Sequence, residues 1–443
     1  MAEARAPRID IWDLTGGTAL LQKQGFRLLL ITRVLAQLGQ NAIFYALFVL
    51  VAQKTNASIY TGLLVVAFAV PSAVLGPLSG VIVDRFPRGW LLVVMNGLRL
   101  FMCLALVASD QSVWILYLFS LLLSASMQFV TPAESAALAQ VVEPDELTGA
   151  NSLFNLGGIA GQVGGMAILA PIFLKTVGAS PLLILAGALF AAAAVIIATV
   201  PRLGVAHAAR YPSSAGVRTQ FARAWRVLRA DDQAYMALVM AVVGSASVLV
   251  GLTLLPRYGK TILGVSTENL IFVFSPAAIG LLLGLRLVGR LERFLGKGRT
   301  VSVGFALLTL ALLSFGLVGK LGAFLTHQNA LGLFDPGPLD ERSARIIATM
   351  ITAVVAGFAY SLIGVASRAL INERIAGEMQ GRVFAALTVL SNLASIVPLL
   401  LAGGLADWLG VQPVLVTVAA LMALFVIWTA WRVRFASPGG AYG

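Results

Sequence analysis

Residues 76–89 read Gly-Pro-Leu-Ser-Gly-Val-Ile-Val-Asp-Arg-Phe-Pro-Arg-Gly, and this stretch decides how the rest of the chain is interpreted. An apolar run ends in a short turn that carries Asp84, Arg85 and Arg88, and a second apolar run begins at Trp90. Solvent accepts almost any polar residue in a loop between membrane helices. One Asp beside two Arg therefore indicates a loop that docks, because carboxylates are stabilised at helix N-termini and arginines pair with acidic groups or lipid phosphates. The alternative is a loop whose positive charges only orient the chain.

The composition identifies lipid as the solvent of this chain. Apolar residues make up 59% of the 443 residues, charged residues 11%, and the mean hydropathy is +0.92. A spanning helix needs roughly 20 residues, so the chain has room for about a dozen spans. Cys103 is the only cysteine, which excludes an intrachain disulfide and a thiolate metal site. The net charge of +12 comes from Lys and Arg placed singly between apolar runs, which is typical of membrane proteins and not of nucleic-acid binding.

The apolar runs predict an all-α membrane protein with twelve transmembrane helices in two six-helix halves. The predicted spans are 27–52, 59–83, 90–109, 112–140, 149–174, 181–201, 234–256, 269–289, 300–319, 346–371, 383–406 and 412–431. The N-terminal half is residues 1–201, a cytoplasmic linker is 202–233, and the C-terminal half is 234–443. Residues 135–149 and 367–381 share several identities at a shift of 232, which favours a duplicated six-helix unit with a substrate cavity between the two copies.

The distribution of Lys and Arg predicts the orientation. One side of the predicted bundle carries 21 of these residues in its loops and termini, and the other side carries 7. Cytoplasmic loops are enriched in Lys and Arg, so both termini are expected to be cytoplasmic. The expected location is the inner (plasma) membrane of the cell.

Two longer connections interrupt the pattern. In the cytoplasmic one, Arg202–Asp232, arginines alternate with apolar residues over Phe221–Arg229, which predicts an amphipathic helix along the membrane surface. This segment is expected to join the halves, with a regulatory role as the alternative. The external connection, Lys320–Arg345, is predicted to be an irregular loop because of its Asp335-Pro-Gly-Pro run.

The loop after the second span resembles the signature loop of the major facilitator superfamily, with Gly80, Asp84, Arg85 and Arg88 at fitting positions; Pro87 replaces the usual glycine. The resemblance implies a secondary transporter that works by alternating access. It also implies that this loop holds the cytoplasmic side closed against the start of the eleventh helix, near Arg382.

Other motifs resemble particular branches of that superfamily. The drug-efflux branch that includes macrolide and siderophore exporters is similar at Phe26–Leu29, Thr131–Ala133, Glu143–Leu147 and Glu378–Val383, and the lysophospholipid transporters at Leu38–Ala42 and Asn96–Leu100. Both groups commonly carry Asp where this chain has Gln40, and a basic residue where it has Glu134.

Ionisable residues inside spans are costly, so each is a functional hypothesis. Arg33, Arg99, Glu134 and Arg286 lie well inside predicted spans, and Glu134 is the one acidic residue among them. Glu134 is the candidate proton carrier. Burial favours the protonated form of its carboxyl group, whereas a nearby Arg33 or Arg99 favours the ionised form. A static Glu–Arg pair that holds helices together is an equal alternative.

A polar stripe on the first span predicts a water-filled cavity. Arg33, Gln37, Gln40 and Asn41 are spaced three or four apart, and Tyr45 follows. Hydrogen bonding between helices is the alternative. We expect these residues, with Arg99 and Gln162, to line the substrate cavity. The glycines around Gln162, from Gly157 to Gly165, resemble a reduced antiporter motif, although close helix packing is the simpler interpretation.

Other functional classes fit less well. His207 and His327 lie in predicted loops on opposite sides, so they cannot form a two-histidine metal site, and no phosphate-binding Gly-x-x-x-x-Gly-Lys-[Ser/Thr] loop occurs. The sequence therefore implies no cofactor, no metal and no enzymatic activity. A carrier fits two halves in one chain better than a channel does. The expected partners are a small amphipathic solute, protons and lipid, with no nucleic acid, and the expected state is a monomer that exports its solute.

Reporter fusions test the predicted topology. A fusion after Pro212 is expected to be active only as a cytoplasmic reporter, and fusions after Lys54 and Phe334 only as external reporters. An external Pro212 or a cytoplasmic Lys54 would contradict the orientation.

Overall fold

A computed structural model describes residues 17–55, 57–200, 203, 225–226, 229, 231–330, 340–374 and 377–435, which form helices and turns without a strand. Within these ranges twelve helical stretches are long and apolar enough to cross a membrane. The prediction of an all-α protein with twelve spans is therefore confirmed.

Six of the twelve spans come from the first part of the chain. Its helices are α1 Gly17–Gln22, α2 Gln24–Lys54, α3 Ser58–Val83, α4 Arg88–Ala108, α5 Val113–Val141, α6 Leu147–Val163, α7 Ala170–Thr176 and α8 Ala179–Ala198. A π-helical turn at Gly164–Leu169 joins α6 to α7, so the two helices form one span.

The second part of the chain forms the other six. Its helices are α9 Asp232–Tyr258, α10 Leu270–Phe274, α11 Pro276–Leu295, α12 Lys297–Gly316, α13 Val318–Ala330, α14 Glu341–Arg374, α15 Gly377–Leu409 and α16 Val411–Phe435. Pro256 lies in the last turn of α9, and a π-helical turn at Gly259–Leu263 follows.

The packing divides the chain into two compact units. The first comprises Met1–Leu50 and Val74–Ser213, and the second comprises Val51–Ala73 and Ser214–Gly443. The division runs through α3: Val65 from the first half of α3 belongs to the apolar core formed by α9, α12, α14, α15 and α16. The core of the first unit is built from α2, α4, α5, α6 and α8.

The external connection differs from its prediction. Lys320–Arg345 was expected to be an irregular loop, but α13 occupies Val318–Ala330 and α14 begins at Glu341. Apolar residues at helical spacing favour this helix, and Val318 is fully buried. His327 accordingly belongs to a helix instead of a loop. The Asp335 run lies outside the described residues, as does most of the linker Arg202–Asp232.

Glycines bring α6 against α2. A Cβ atom at Gly161 would lie 2.7 Å from the carbonyl oxygen of Val34, and one at Gly165 only 2.3 Å from that of Leu38. These are backbone atoms and cannot yield, so no larger residue fits at either position. The interpretation of the glycine run as a packing surface is confirmed.

Candidate transport site

An ion pair joins α2 to α5 inside the first unit. The Arg33 guanidinium binds a carboxylate oxygen of Glu134, whose side chain is 3% exposed. The Arg33 guanidinium also lies over the Phe154 ring, with Cζ 5.2 Å from its centroid. Gly158 makes room for it, because a Cβ there would lie 3.0 Å from Arg33 Nε. The sequence thus places Arg33 between a carboxylate, an aromatic face and a glycine.

A second arginine lies beside this pair. Arg99 of α4 is 2% exposed and donates from Nε to Ser126 Oγ of α5, at 2.8 Å. Its guanidinium lies over the Phe190 ring of α8, 5.5 Å from the centroid. Arg99 interacts electrostatically with both Glu134 and Arg33, so the three residues form one charge cluster. We call Arg33, Arg99 and Glu134 the buried triad.

The triad is not fully satisfied by the protein. Within the described part of the chain, the buried atoms Arg33 Nε and Arg99 Nη2 have no hydrogen-bond partner. Buried guanidinium N–H groups normally have acceptors, because leaving them unpaired costs several kcal/mol in an apolar interior. The cluster therefore holds two cations, one anion and two buried, unpaired donors.

The polar stripe of α2 divides into two environments. Asn41 is half-buried and donates to the backbone and side-chain oxygens of Gln37, at 2.8 and 3.0 Å, so the two residues are hydrogen-bonded along the helix. Gln40 and Tyr45 are buried, and neither amide atom of Gln40 has a partner among the described residues. Gln162 is exposed on α6. Their role as cavity lining remains a prediction.

The signature loop is organised by its second arginine. Arg88 is buried and donates to Asp84 Oδ1 at 2.9 Å, to the carbonyl of Phe86 at 3.0 Å and to the carbonyl of Val83. It therefore ties the end of α3 to the start of α4. Asp84 keeps 66% of its side chain exposed, which leaves the carboxylate accessible to a further partner.

The signature loop and its predicted partner on the eleventh span are expected to form a gate on the cytoplasmic side. The positions of the other gate residues are less well defined. Arg85 is exposed, and Gly80 lies in the last turn of α3. The predicted partners of Asp84, around Gly381–Ala385 and including Arg382, lie on α15 among the side chains outside the described residues. That docking remains a prediction.

A surface ion-pair cluster lies near the start of α2. Lys23 donates to Glu146 at 2.6 Å and to Glu143 at 3.3 Å. The hydrogen bond to Glu146 raises the pKa of Lys23, and the same bond lowers the pKa of Glu146. The stabilisation from this pair is therefore complete between the ordinary pKa values of glutamate and lysine. It is lost as the pH falls through the lowered Glu146 value or rises through the raised Lys23 value.

A junction within the second unit was missed from the sequence. Asp407 of α15 accepts hydrogen bonds from the backbone N–H groups of Ser58, at 2.7 Å, and Ile59, at 3.2 Å, which are the first residues of α3. The same carboxylate binds the guanidinium of Arg257 from α9. Gly403 allows the approach, since a Cβ there would lie 3.1 Å from Ile59 Cα. One carboxylate thus holds three helices.

The missed junction had a sequence signal. Gly403 and Asp407 have the same four-residue spacing as Gly80 and Asp84 in the signature loop. Because Asp407 falls one residue beyond the predicted span 383–406, it was not counted as an ionisable residue within the membrane helices.

The described residues hold twelve helices that could span a membrane, and a charge cluster is buried among those of the first unit. Comparisons with solved structures agree on the fold. The nucleoside transporter NupG aligns with a TM-score of 0.69, covering 93% of this chain and 100% of NupG at 12% identity. A bacterial homolog of the human lysosomal transporter Spinster, in an inward-facing and unoccupied conformation, aligns with a TM-score of 0.66, covering 94% and 98% at 13% identity.

The chain belongs to the Major Facilitator Superfamily, whose family model matches residues 29–334. It is 23% identical over 392 residues to the uncharacterized MFS-type transporter YfiS of Bacillus subtilis (strain 168), covering 88% of each chain. It is 27% identical over 209 residues to the lysophospholipid transporter LplT of Serratia proteamaculans (strain 568), covering 46% of this chain and 50% of that protein.

Asp407→Asn tests the junction. The substitution keeps the shape but removes the charge that binds Arg257, and hydrogen bonds to charged groups contribute about 1.5–3 kcal/mol. We expect the amides of Ser58 and Ile59 to exchange hydrogen at least about tenfold faster. The matched control is Asp110→Asn, because Asp110 also accepts a backbone N–H, from Ser112 at 3.1 Å, but is exposed. Equal exchange of the Ser58 and Ile59 amides in both variants would show that the charge of Asp407 does not stabilise the start of α3.

Proposed function

We propose that this protein is a secondary active transporter that moves an amphipathic small molecule by alternating access, with protons coupled at Glu134. The ion pair between Arg33 and Glu134 carries the proposal. A buried carboxylate bound to an arginine of another helix can lose or gain a proton only if the pair rearranges, and such a rearrangement is what a coupled carrier requires. A cell inner membrane, cytoplasmic termini and a monomeric state complete the proposal, with halves 1–201 and 234–443.

Two solute classes are candidates. Motifs similar to those of macrolide and siderophore exporters favour efflux in exchange for protons, with drug resistance as its consequence. The partial similarity to two LplT proteins favours movement of lysophospholipid. An uncoupled facilitator is the remaining alternative. Resistance of a pump-deficient strain to a drug panel, measured beside uptake of labelled lysophosphatidylethanolamine, separates the first two.

Glu134→Gln tests the coupling. Glutamine keeps the size and hydrogen bonding of the side chain but cannot titrate, so in proteoliposomes accumulation driven by a pH gradient should be lost. Counterflow of the same solute at equal pH should persist, because it needs binding and not protons. The matched control, Glu143→Gln, removes an exposed carboxylate outside the triad and should keep gradient-driven accumulation. If Glu134→Gln still accumulates solute with unchanged pH dependence, the coupling group lies elsewhere.

Asp84→Asn tests the signature loop as a gate, the function proposed for Gly80, Asp84, Arg85, Arg88 and Arg382. The exposed carboxylate is proposed to dock at the N-terminal end of α15, where a negative charge is favoured. Removing that charge should reduce the transport rate strongly while the protein still folds into the membrane, as judged by its size-exclusion profile. Full transport by this variant would contradict the gate, and the charges of the loop would then serve only to orient the chain in the membrane.

A further inference from the structure

The buried triad has an unbalanced charge. Arg33 and Arg99 face one carboxylate, Glu134, so the cluster carries a net positive charge when Glu134 is ionised and a larger one when it is protonated. No further charged residue faces Glu134 from α6, whose residues Leu147–Val163 contain none. Buried charge without a counter-charge is costly in the interior of a membrane protein, so the site is poised to receive an anion.

The buried, unpaired donors point the same way. Arg33 Nε and Arg99 Nη2 are buried N–H groups without acceptors, and the Gln40 amide is also unpaired within the described residues. The ring of Phe190 lies under Arg99, and a Cβ on Gly39 of α2 would lie 3.4 Å from it, so α2 passes close to the second arginine.

Aromatic rings lie beside both arginines. The two guanidinium groups lie over the rings of Phe154 and Phe190, and this cation–π contact stabilises the cations. An aromatic ring supplies no oxygen acceptor, so these contacts leave Arg33 Nε and Arg99 Nη2 unpaired within the described residues. Planar guanidinium edges match the oxygens of carboxylate and phosphate groups, and the phenyl rings supply apolar surface beside them.

We infer that the triad binds the anionic head group of an amphipathic solute, a phosphate or a carboxylate, and that proton and anion bind together. This inference rests on the proposed function and specifies the solute of that site. The Glu134 carboxylate is bound to the Arg33 guanidinium, so an incoming anion competes with it for that guanidinium. Protonation of Glu134 frees Arg33, and each ligand therefore strengthens the binding of the other. A carrier with this linkage moves anion and proton in the same direction, which argues against the candidate that exports its solute in exchange for protons. A cationic solute would exchange with the proton.

The test compares probes that share a decyl tail and differ in the head group. Decyl phosphate, decyltrimethylammonium and decyl maltoside are titrated below their micellar concentrations into the full chain in lipid nanodiscs, with inorganic phosphate as a probe that lacks the tail. Calorimetry gives Kd, and a pH indicator in weak buffer counts protons. We expect decyl phosphate to bind most tightly and to cause uptake of up to about one proton per bound molecule.

Variants assign the effect to the triad. Arg99→Gln should weaken decyl phosphate binding at least about tenfold, the size expected for a lost charged hydrogen bond, and Arg99→Lys should recover part of the loss. Arg286→Gln is the matched control, since Arg286 lies exposed in the span formed by α11. Glu134→Gln should bind decyl phosphate without proton uptake. If Arg99→Gln does not fold, the head-group ranking and the proton count still decide.

Three results would overturn the inference. Tighter binding of decyltrimethylammonium with release of a proton would contradict the anionic head group and leave Glu134 as the proposed coupling residue. Inorganic phosphate binding as tightly as decyl phosphate would contradict an amphipathic solute. Proton uptake that persists in Glu134→Gln would remove Glu134 from the linkage. The proposed function fails separately, when Glu134→Gln keeps gradient-driven transport, whichever head group binds.

Discussion

A carboxylate buried beside two guanidinium groups is the interaction on which the first unit depends. An isolated charge at this depth would be prohibitively costly, and a matched pair would form a stable strut between α2 and α5. The triad is neither, because its second arginine has a hydroxyl and an aromatic ring as partners instead of a second carboxylate. Such a cluster is tolerated where an anionic ligand completes it, and this need relates its unbalanced charge to the proposed transport.

Close helix packing makes this cluster possible. Gly158 gives Arg33 its place against α6, and Gly161 and Gly165 bring the two backbones together. The second unit uses the same means for another purpose, since Gly403 lets α15 approach α3 so that Asp407 can cap that helix. In both units a glycine, which has no side chain, leaves the space, and an ion pair between a carboxylate and an arginine lies beside it.

Much of this could be predicted from the sequence because lipid constrains composition strongly. Apolar length gave the spans. The rarity of charge within them singled out Arg33, Arg99, Glu134 and Arg286, of which Arg286 is exposed and lies outside the triad. The sequence could not decide whether Gln37 and Asn41 line a cavity or bond to each other, because residues four apart on a helix can do either. Asp407 was missed because a helix that continues past its apolar run carries polar residues inside the packed bundle. The helix α13 was missed because turn residues near Asp335 dominated the interpretation of the whole connection.

Infrared difference spectroscopy tests the central claim most directly, because a protonated buried carboxyl group has a carbonyl band that a carboxylate lacks. Adding decyl phosphate at constant pH should increase that band in the unmodified chain, as the anion displaces Glu134 from Arg33 and the carboxylate takes up a proton. The increase should be absent in Glu134→Gln. A band that does not change on binding, or one that changes equally in the variant, would mean that the ion pair is a static support and not the exchangeable centre of a transporter.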